Sequence, residues 1–154
     1  MIAEIRNTLA RNHGEFWFDN PNLLTKDQQA SVRRATKEIH KRRTAGRVVA
    51  ELNFGFWVGL FSTIHDGDLR RTDLHLVFTP LPERRQLHNQ LDRLRTLRNR
   101  IAHHEPIFHR DLLTDYQKLM WILEMLSTET AAWTAHHSRL LEVLDTDPAQ
   151  VARF

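Results

Sequence analysis

The sequence predicts an all-α protein, a helical bundle of about five to six helices within one domain. Apolar residues recur at helical spacing along nearly the whole chain. The longest apolar run, residues 47–64, is too long for a strand. Five glycines and five prolines punctuate 154 residues, with no repeat and no low-complexity tract. A chain of 154 residues is by default a single domain and can bury a core without covalent staples.

Each element follows from a local signal. Ile2, Ile5 and Leu9 mark a first helix over residues 1–13, with Gly14 as its stop and Asn20-Pro21-Asn22 as loop. Thr25 followed by Lys-Asp-Gln is a capping box, so a second helix starts at 26 and runs to about 41. It is polar apart from Ala30, Val32, Ala35 and Ile39, and Gly46 separates it from the next segment. Residues 47–64 read as one buried helix, with Gly55 and Gly59 allowing close approach of a neighbour. Glu51 and Asn53 are polar intruders there and require partners or a cleft. Turn signals at Asp66-Gly67-Asp68 and Thr79-Pro80 frame a short helix and loop holding Leu74, Leu76, Val77 and Phe78. Leu87, Leu91, Leu94, Leu97 and Ile101 form the stripe of a long helix over about 83–104, which Pro106 terminates. Asp111 opens a helix carrying Leu112, Leu113, Tyr116, Leu119, Met120, Leu123 and Leu126. A last helix, about 128–144, packs Ala132, Trp133, Leu140 and Leu141, and residues 145–154 form a tail.

Composition excludes several chemistries. Without cysteine there are no disulfides, thiolate metal sites or cysteine nucleophiles, which fits a reducing cytoplasm. No signal peptide or membrane-length apolar segment is visible, so a cytoplasmic protein without a membrane partner is expected. The net charge of +3 is unevenly spread. Residues 1–50 hold ten Lys/Arg against five Asp/Glu, and residues 84–110 hold seven against two. Acidic excess fills the two intervals that follow these blocks. A polyanion is drawn to the basic blocks, though the same charges also suit solvated helix faces that pair with one another.

Residues 94–109, Leu-Arg-Thr-Leu-Arg-Asn-Arg-Ile-Ala-His-His-Glu-Pro-Ile-Phe-His, concentrate the chemistry. Arg95, Arg98 and Arg100 offer guanidinium forks that match phosphate oxygens. His103, His104 and His109 are of the residue type best suited to proton transfer near neutral pH. Together these are the parts for phosphodiester cleavage without metal. His104-Glu105 and His109 imitate a zincin motif, but the second histidine is one residue late and Pro106 breaks the helix. The sequence therefore implies no metal and no cofactor. It lacks a glycine-rich phosphate loop, a nucleophile elbow and the glycine-centred turn of a helix-turn-helix. On a straight helix Arg98 and His103 stand ~140° apart, so one site needs either a bent helix end or two copies of the chain. A purely structural role is open too: His103 suits a helix C-terminus, and Arg98 would pair with Asp92 or Glu105.

The string from Leu97 to Phe108 resembles the signature of Abi-like (abortive infection) proteins of the HEPN superfamily, whose hallmark is Arg, four to six residues, then His. Gly46 to Trp57 resembles that family's buried helix, and Glu4-Ile5-Arg6-Asn7 its early Glu-x-Arg-Asn element. Asp19-Asn20 and the segment from Trp133 to Arg139 also fit, so the likeness covers nearly the whole chain. The chain begins three residues before the Glu-x-Arg-Asn element, which suggests a shortened first helix or a misassigned start. Arg93 and Leu97 stand where some HEPN nucleases carry an acid and a lysine.

The resemblance implies a homodimeric, metal-independent endoribonuclease that acts as a toxin in phage defence, with an antitoxin as a further partner. It implies Arg98, Asn99 and His103 as catalytic residues, with His104, Arg100 and Arg95 as secondary contacts. Arg33, Arg34, Lys37, Lys41, Arg42, Arg43 and Arg47 would follow the RNA backbone. Glu4, Arg6, Asn7 and Glu51 would support the site. A non-catalytic RNA-binding or protein-interaction module, and a purely structural helical subunit, are the alternatives.

Overall fold

A computed structural model of the chain describes residues 1–39, 43–78 and 80–145. Every regular element among them is helical, as the periodicity predicts. The chain divides into two compact units, Met1–Arg95 and Thr96–Phe154. The expected tail beyond residue 145 lies outside the described residues.

The first unit begins with α1 (Ile2–His13), which ends at Gly14 with φ 86, a backbone region that glycine occupies without strain. A single helical turn, Trp17–Asp19, leads to α2 (Lys26–Glu38). Its capping box is complete, with Thr25 Oγ1 accepting from the Gln28 N–H and Gln28 Oε1 accepting from the Thr25 N–H.

The single helix expected over residues 47–64 is two. α3 (Ala45–Glu51) and α4 (Phe54–Gly59) are separated by extended Leu52. Asn53 causes the break, because its Oδ1 accepts from the Phe56 N–H at 2.9 Å and starts a new helix. The break turns Glu51 and Asn53 outward, so neither is the buried polar intruder expected. Gly46 lies inside α3 rather than before it, because Thr44 supplies the cap. At Gly59 an added Cβ would lie 3.3 Å from the Gln28 amide of α2, the close approach foreseen for this glycine.

Three short turns follow, at Thr63–His65, Asp66–Arg70 and Leu74–Leu76, before the long helix α5 (Arg84–Ala102). The core of this unit is aromatic. Trp17, Phe18, Phe56 and Trp57 meet edge to face, with Trp17 5.4 Å from Phe18 and 6.1 Å from Trp57. Ile5 and Leu9 of α1, and Leu87 and Leu91 of α5, are fully buried. Leu74 and Phe78 are buried and Leu76 is exposed.

One buried carboxylate ties distant segments of this unit together. Asp73, fully buried, accepts from Asn12 and His13 at the end of α1, some sixty residues earlier, and from Thr72. Burial pushes its carboxyl up. The bonds from Thr72, Asn12 and His13 outweigh this and hold it below the ordinary carboxylate value. A carboxyl whose folded pKa is depressed contributes stability that is complete above its unfolded value, about 3.9, and lost as pH falls through its folded value. Acid unfolding of the wild type should therefore carry this contribution below about pH 4, and Asp73→Asn should flatten the profile there. Chemical denaturation at stepped pH checks it.

In the second unit, α6 (Leu112–Leu126) packs on α7 (Thr128–His137), and α8 (Leu140–Asp145) follows. Asp111 caps α6 as expected, accepting from the Thr114 N–H. Ile122 and Met125 are the buried apolar positions of α6, while its leucines and Tyr116 stay partly or fully exposed. The last predicted helix is also two, because Ser138 is extended and its Oγ accepts from the Leu140 N–H. Ala131 is buried, whereas Ala132 and Trp133, expected to pack, are exposed, Trp133 at 65%. These two broken segments explain why eight α-helices stand, among the described residues, where about six were expected. None of the described helices is long and apolar enough to cross a membrane.

Candidate active site

The stripe of α5 leaves the core before the basic–histidine segment begins. Leu87, Leu91 and Leu94 are buried, Leu97 is half-buried, and Ile101 is 54% exposed. The last turn is regular, with the His103 N–H donating to the Asn99 carbonyl at 2.9 Å. Pro106 excludes further helix, and the end is a Schellman motif. The Glu105 N–H reaches back to the Arg100 carbonyl, and the His104 N–H to that of Ile101. His104 adopts the left-handed conformation this motif requires, with φ 55. The helix thus stops at Ala102, about two residues earlier than the spacing suggests.

A histidine in that conformation costs about 1 kcal/mol relative to glycine. His104→Gly should therefore raise the melting temperature, a gain that thermal unfolding will show.

The arginines of this segment divide into committed and uncommitted side chains. Arg95 is paired with Asp92 at 2.8 Å. Arg100 donates to the Pro106 carbonyl at 3.2 Å and to His109 Nε2 at 3.0 Å, and stands 4.0 Å from Glu105. A guanidinium only donates, so His109 offers a lone pair at Nε2. Arg100 therefore fastens the loop after α5. Arg98 is exposed, and its one hydrogen bond among the described residues goes to adjacent Asn99 at 3.3 Å. Asp92 and Glu105, the acids considered as its partners, are engaged by Arg95 and Arg100. His103 and His104 are exposed and make no side-chain hydrogen bond or ion pair among the described residues.

The helix end does not bend to bring Arg98 and His103 together. Regular hydrogen bonding through His103 keeps the angular separation of a straight helix. The same loop is anchored at its far end by Arg110, which grips buried Asp115 with two bonds, at 2.9 and 3.1 Å. Sequence reasoning missed this pair. Its only local signal is an arginine just before the capping Asp111 and an acid in the first turn after it. Phe108, between the two anchors, is 84% exposed.

In comparisons with known proteins, no family model, no curated protein and no solved structure matches this chain.

The expected RNA-tracking residues fall into three groups. Arg33, Arg34 and Lys37 are exposed on α2 and line an open groove of about 550 Å³ with Asp27, Ala30 and Ser31. Arg43 is diverted, since it pairs with Asp19 at 2.6 Å and lies over the rings of Phe16 and Phe18 at 5.0 and 5.5 Å. Arg47 is exposed on α3 and has a partner of its own, and Lys41 and Arg42 lie outside the described residues.

Glu4, Arg6 and Asn7 line an open groove of about 530 Å³ on α1, where Arg6 donates to Asn7 at 3.3 Å. Glu51 lines a cleft of about 110 Å³ with Arg34, Glu38 and Asn53. Among the described residues no group of three or more His, Asp or Glu side chains is placed to hold a metal ion.

Proposed function

We propose that the chain is a metal-independent endoribonuclease of the Abi-like, HEPN type, acting as a homodimer that cleaves RNA in phage defence. The observation that carries this reading is the selective exposure at the end of α5. Arg98 and His103 are left out of intramolecular ion pairs while Arg95 and Arg100 beside them are committed. A surface guanidinium and imidazole on a rigid helix, flanked by exposed Ile101 and Phe108, suit a cleft completed by a second copy. The resemblance of residues 97–108 to the Abi-like signature supports the same assignment.

In this reading a ribose 2′-hydroxyl attacks the adjacent phosphorus. A 2′-O–P bond forms and the P–5′-O bond breaks. His103 of one copy acts as the base that takes the hydroxyl proton or as the acid to the leaving 5′-oxygen, with solvent water serving at the opposite oxygen. Arg98 stabilises the charge that grows on the non-bridging oxygens, and Asn99 orients the imidazole or the phosphate. His104 is a secondary contact. Arg33, Arg34 and Lys37 hold the RNA backbone with a salt-sensitive affinity.

The test is RNA cleavage in EDTA by the wild type, Arg98→Ala and His103→Ala. Equal cleavage by all three rejects the assignment. The open basic groove on α2 favours a second reading, a non-catalytic RNA-binding module. That reading predicts salt-sensitive RNA association, no cleavage, and no growth defect when the protein is expressed in a bacterial host.

A further inference from the structure

Arginines crowd one carboxylate in the first unit. Asp66 opens the turn Asp66–Arg70, and three guanidinium groups gather around it. Arg70 stands 3.3 Å from its carboxylate, and Arg71 and Arg84 each stand 3.6 Å away. One carboxylate balances one guanidinium. Glu83 adds a second negative charge at the start of α5, where the N–H groups of Arg85 and Gln86 hold its carboxyl below the ordinary range, helped by the charges of Arg84 and Arg70. Among the described side chains of this cluster, three guanidinium groups meet two carboxylates.

Two of the three guanidinium groups are poorly hydrated and under-bonded. The side chains of Arg70 and Arg84 are only 17% and 18% exposed. Arg70 sends one N–H to the Pro82 carbonyl at 3.0 Å, yet its Nε is shielded from solvent without a partner. Arg71 and Arg84 lie beyond hydrogen-bond length from Asp66, so donors remain unused on both. Converging guanidinium donors with surplus positive charge match a tetrahedral oxyanion better than they match one planar carboxylate.

We infer that Arg70, Arg71 and Arg84 form a binding site for a phosphoryl oxyanion, in which Asp66 holds the guanidinium groups in place and competes with the ligand. The site is independent of the nuclease assignment, since it uses none of the residues at the end of α5. Its ligand is a phosphate group, either a monoester at a nucleic-acid or nucleotide terminus or an internal diester.

The experiment is thermal unfolding and titration of the full chain with sodium phosphate, against sodium chloride at equal ionic strength and pH. General salting-out by phosphate acts on every variant alike. The wild type should gain more stability in phosphate than Arg71→Gln, a substitution at a largely exposed side chain that leaves the fold intact. Asp66→Asn, freed of its competing charge, should bind phosphate severalfold more tightly. Short RNAs with and without a 5′-phosphate then separate the sources. Preference for the phosphorylated end assigns a monoester, and equal binding that Arg71→Gln weakens assigns a diester. An identical response to phosphate in wild type and Arg71→Gln overturns the site.

Discussion

Arg98→Ala and His103→Ala should each lower RNA cleavage in EDTA by roughly two to four orders of magnitude, the usual contribution of a positioned acid–base group or an anion-stabilising cation. Both side chains are exposed and lack structural partners beyond Asn99, so neither change should disturb folding. Loss of activity with an unchanged melting temperature separates catalysis from scaffolding. The straight helix end adds a sharper expectation. If one active site takes Arg98 from one copy and His103 from the other, mixing the two inactive variants restores one intact combination per mixed dimer. Recovery of cleavage on mixing, absent when either variant is alone, is the expected result. Failure to recover would place both groups from one copy in the same site, against the geometry of α5. A cyclic phosphate at the 3′ end of the product identifies 2′-hydroxyl attack.

Arg110→Ala should cost about 3 kcal/mol or more, because it strips a bidentate partner from a carboxylate only 1% exposed. The loss appears as a lower denaturation midpoint at neutral pH. This pair has a second consequence. Arg110 closes the loop that begins at His103, while Arg100 fastens the same loop through Pro106, Glu105 and His109. Freeing the loop should therefore reduce cleavage further than the loss of folded protein accounts for, measured at a temperature where the variant remains folded. Arg110→Lys keeps the charge but lacks the planar fork, so it should recover only part of the stability.

Where local chemistry governs an element, its residues announce it. The Thr25 capping box, the Gly14 stop and the Asp111 cap are each set within four residues, and each stands where the sequence puts it. The stripe of Leu87, Leu91 and Leu94 likewise declares its buried face. Hydrophobicity was the poorer guide where a short polar side chain competed with the helix. Asn53 and Ser138 each satisfy a backbone N–H and divide what the apolar pattern joins. Burial in α6 and α7 escapes the sequence pattern for a related reason. Their sequences are apolar on several faces, so periodicity alone does not choose which face packs.

The candidate site shows the same division. The basic and histidine content of residues 94–109, the helix beneath it and its end before Pro106 all follow from short-range rules of spacing and backbone sterics. Which arginines are spent does not. That Arg95 and Arg100 are tied down, that Arg43 is drawn to Asp19 and two phenylalanine rings, and that Arg70, Arg71 and Arg84 converge on Asp66 emerges from side chains meeting in space. Asp73, joined to Asn12 and His13 across sixty residues, is the extreme case. Helix type and helix ends rest on contacts three or four residues apart, which are written along the chain. The fate of each charge depends on which groups share a desolvated space, and that is settled when distant segments pack.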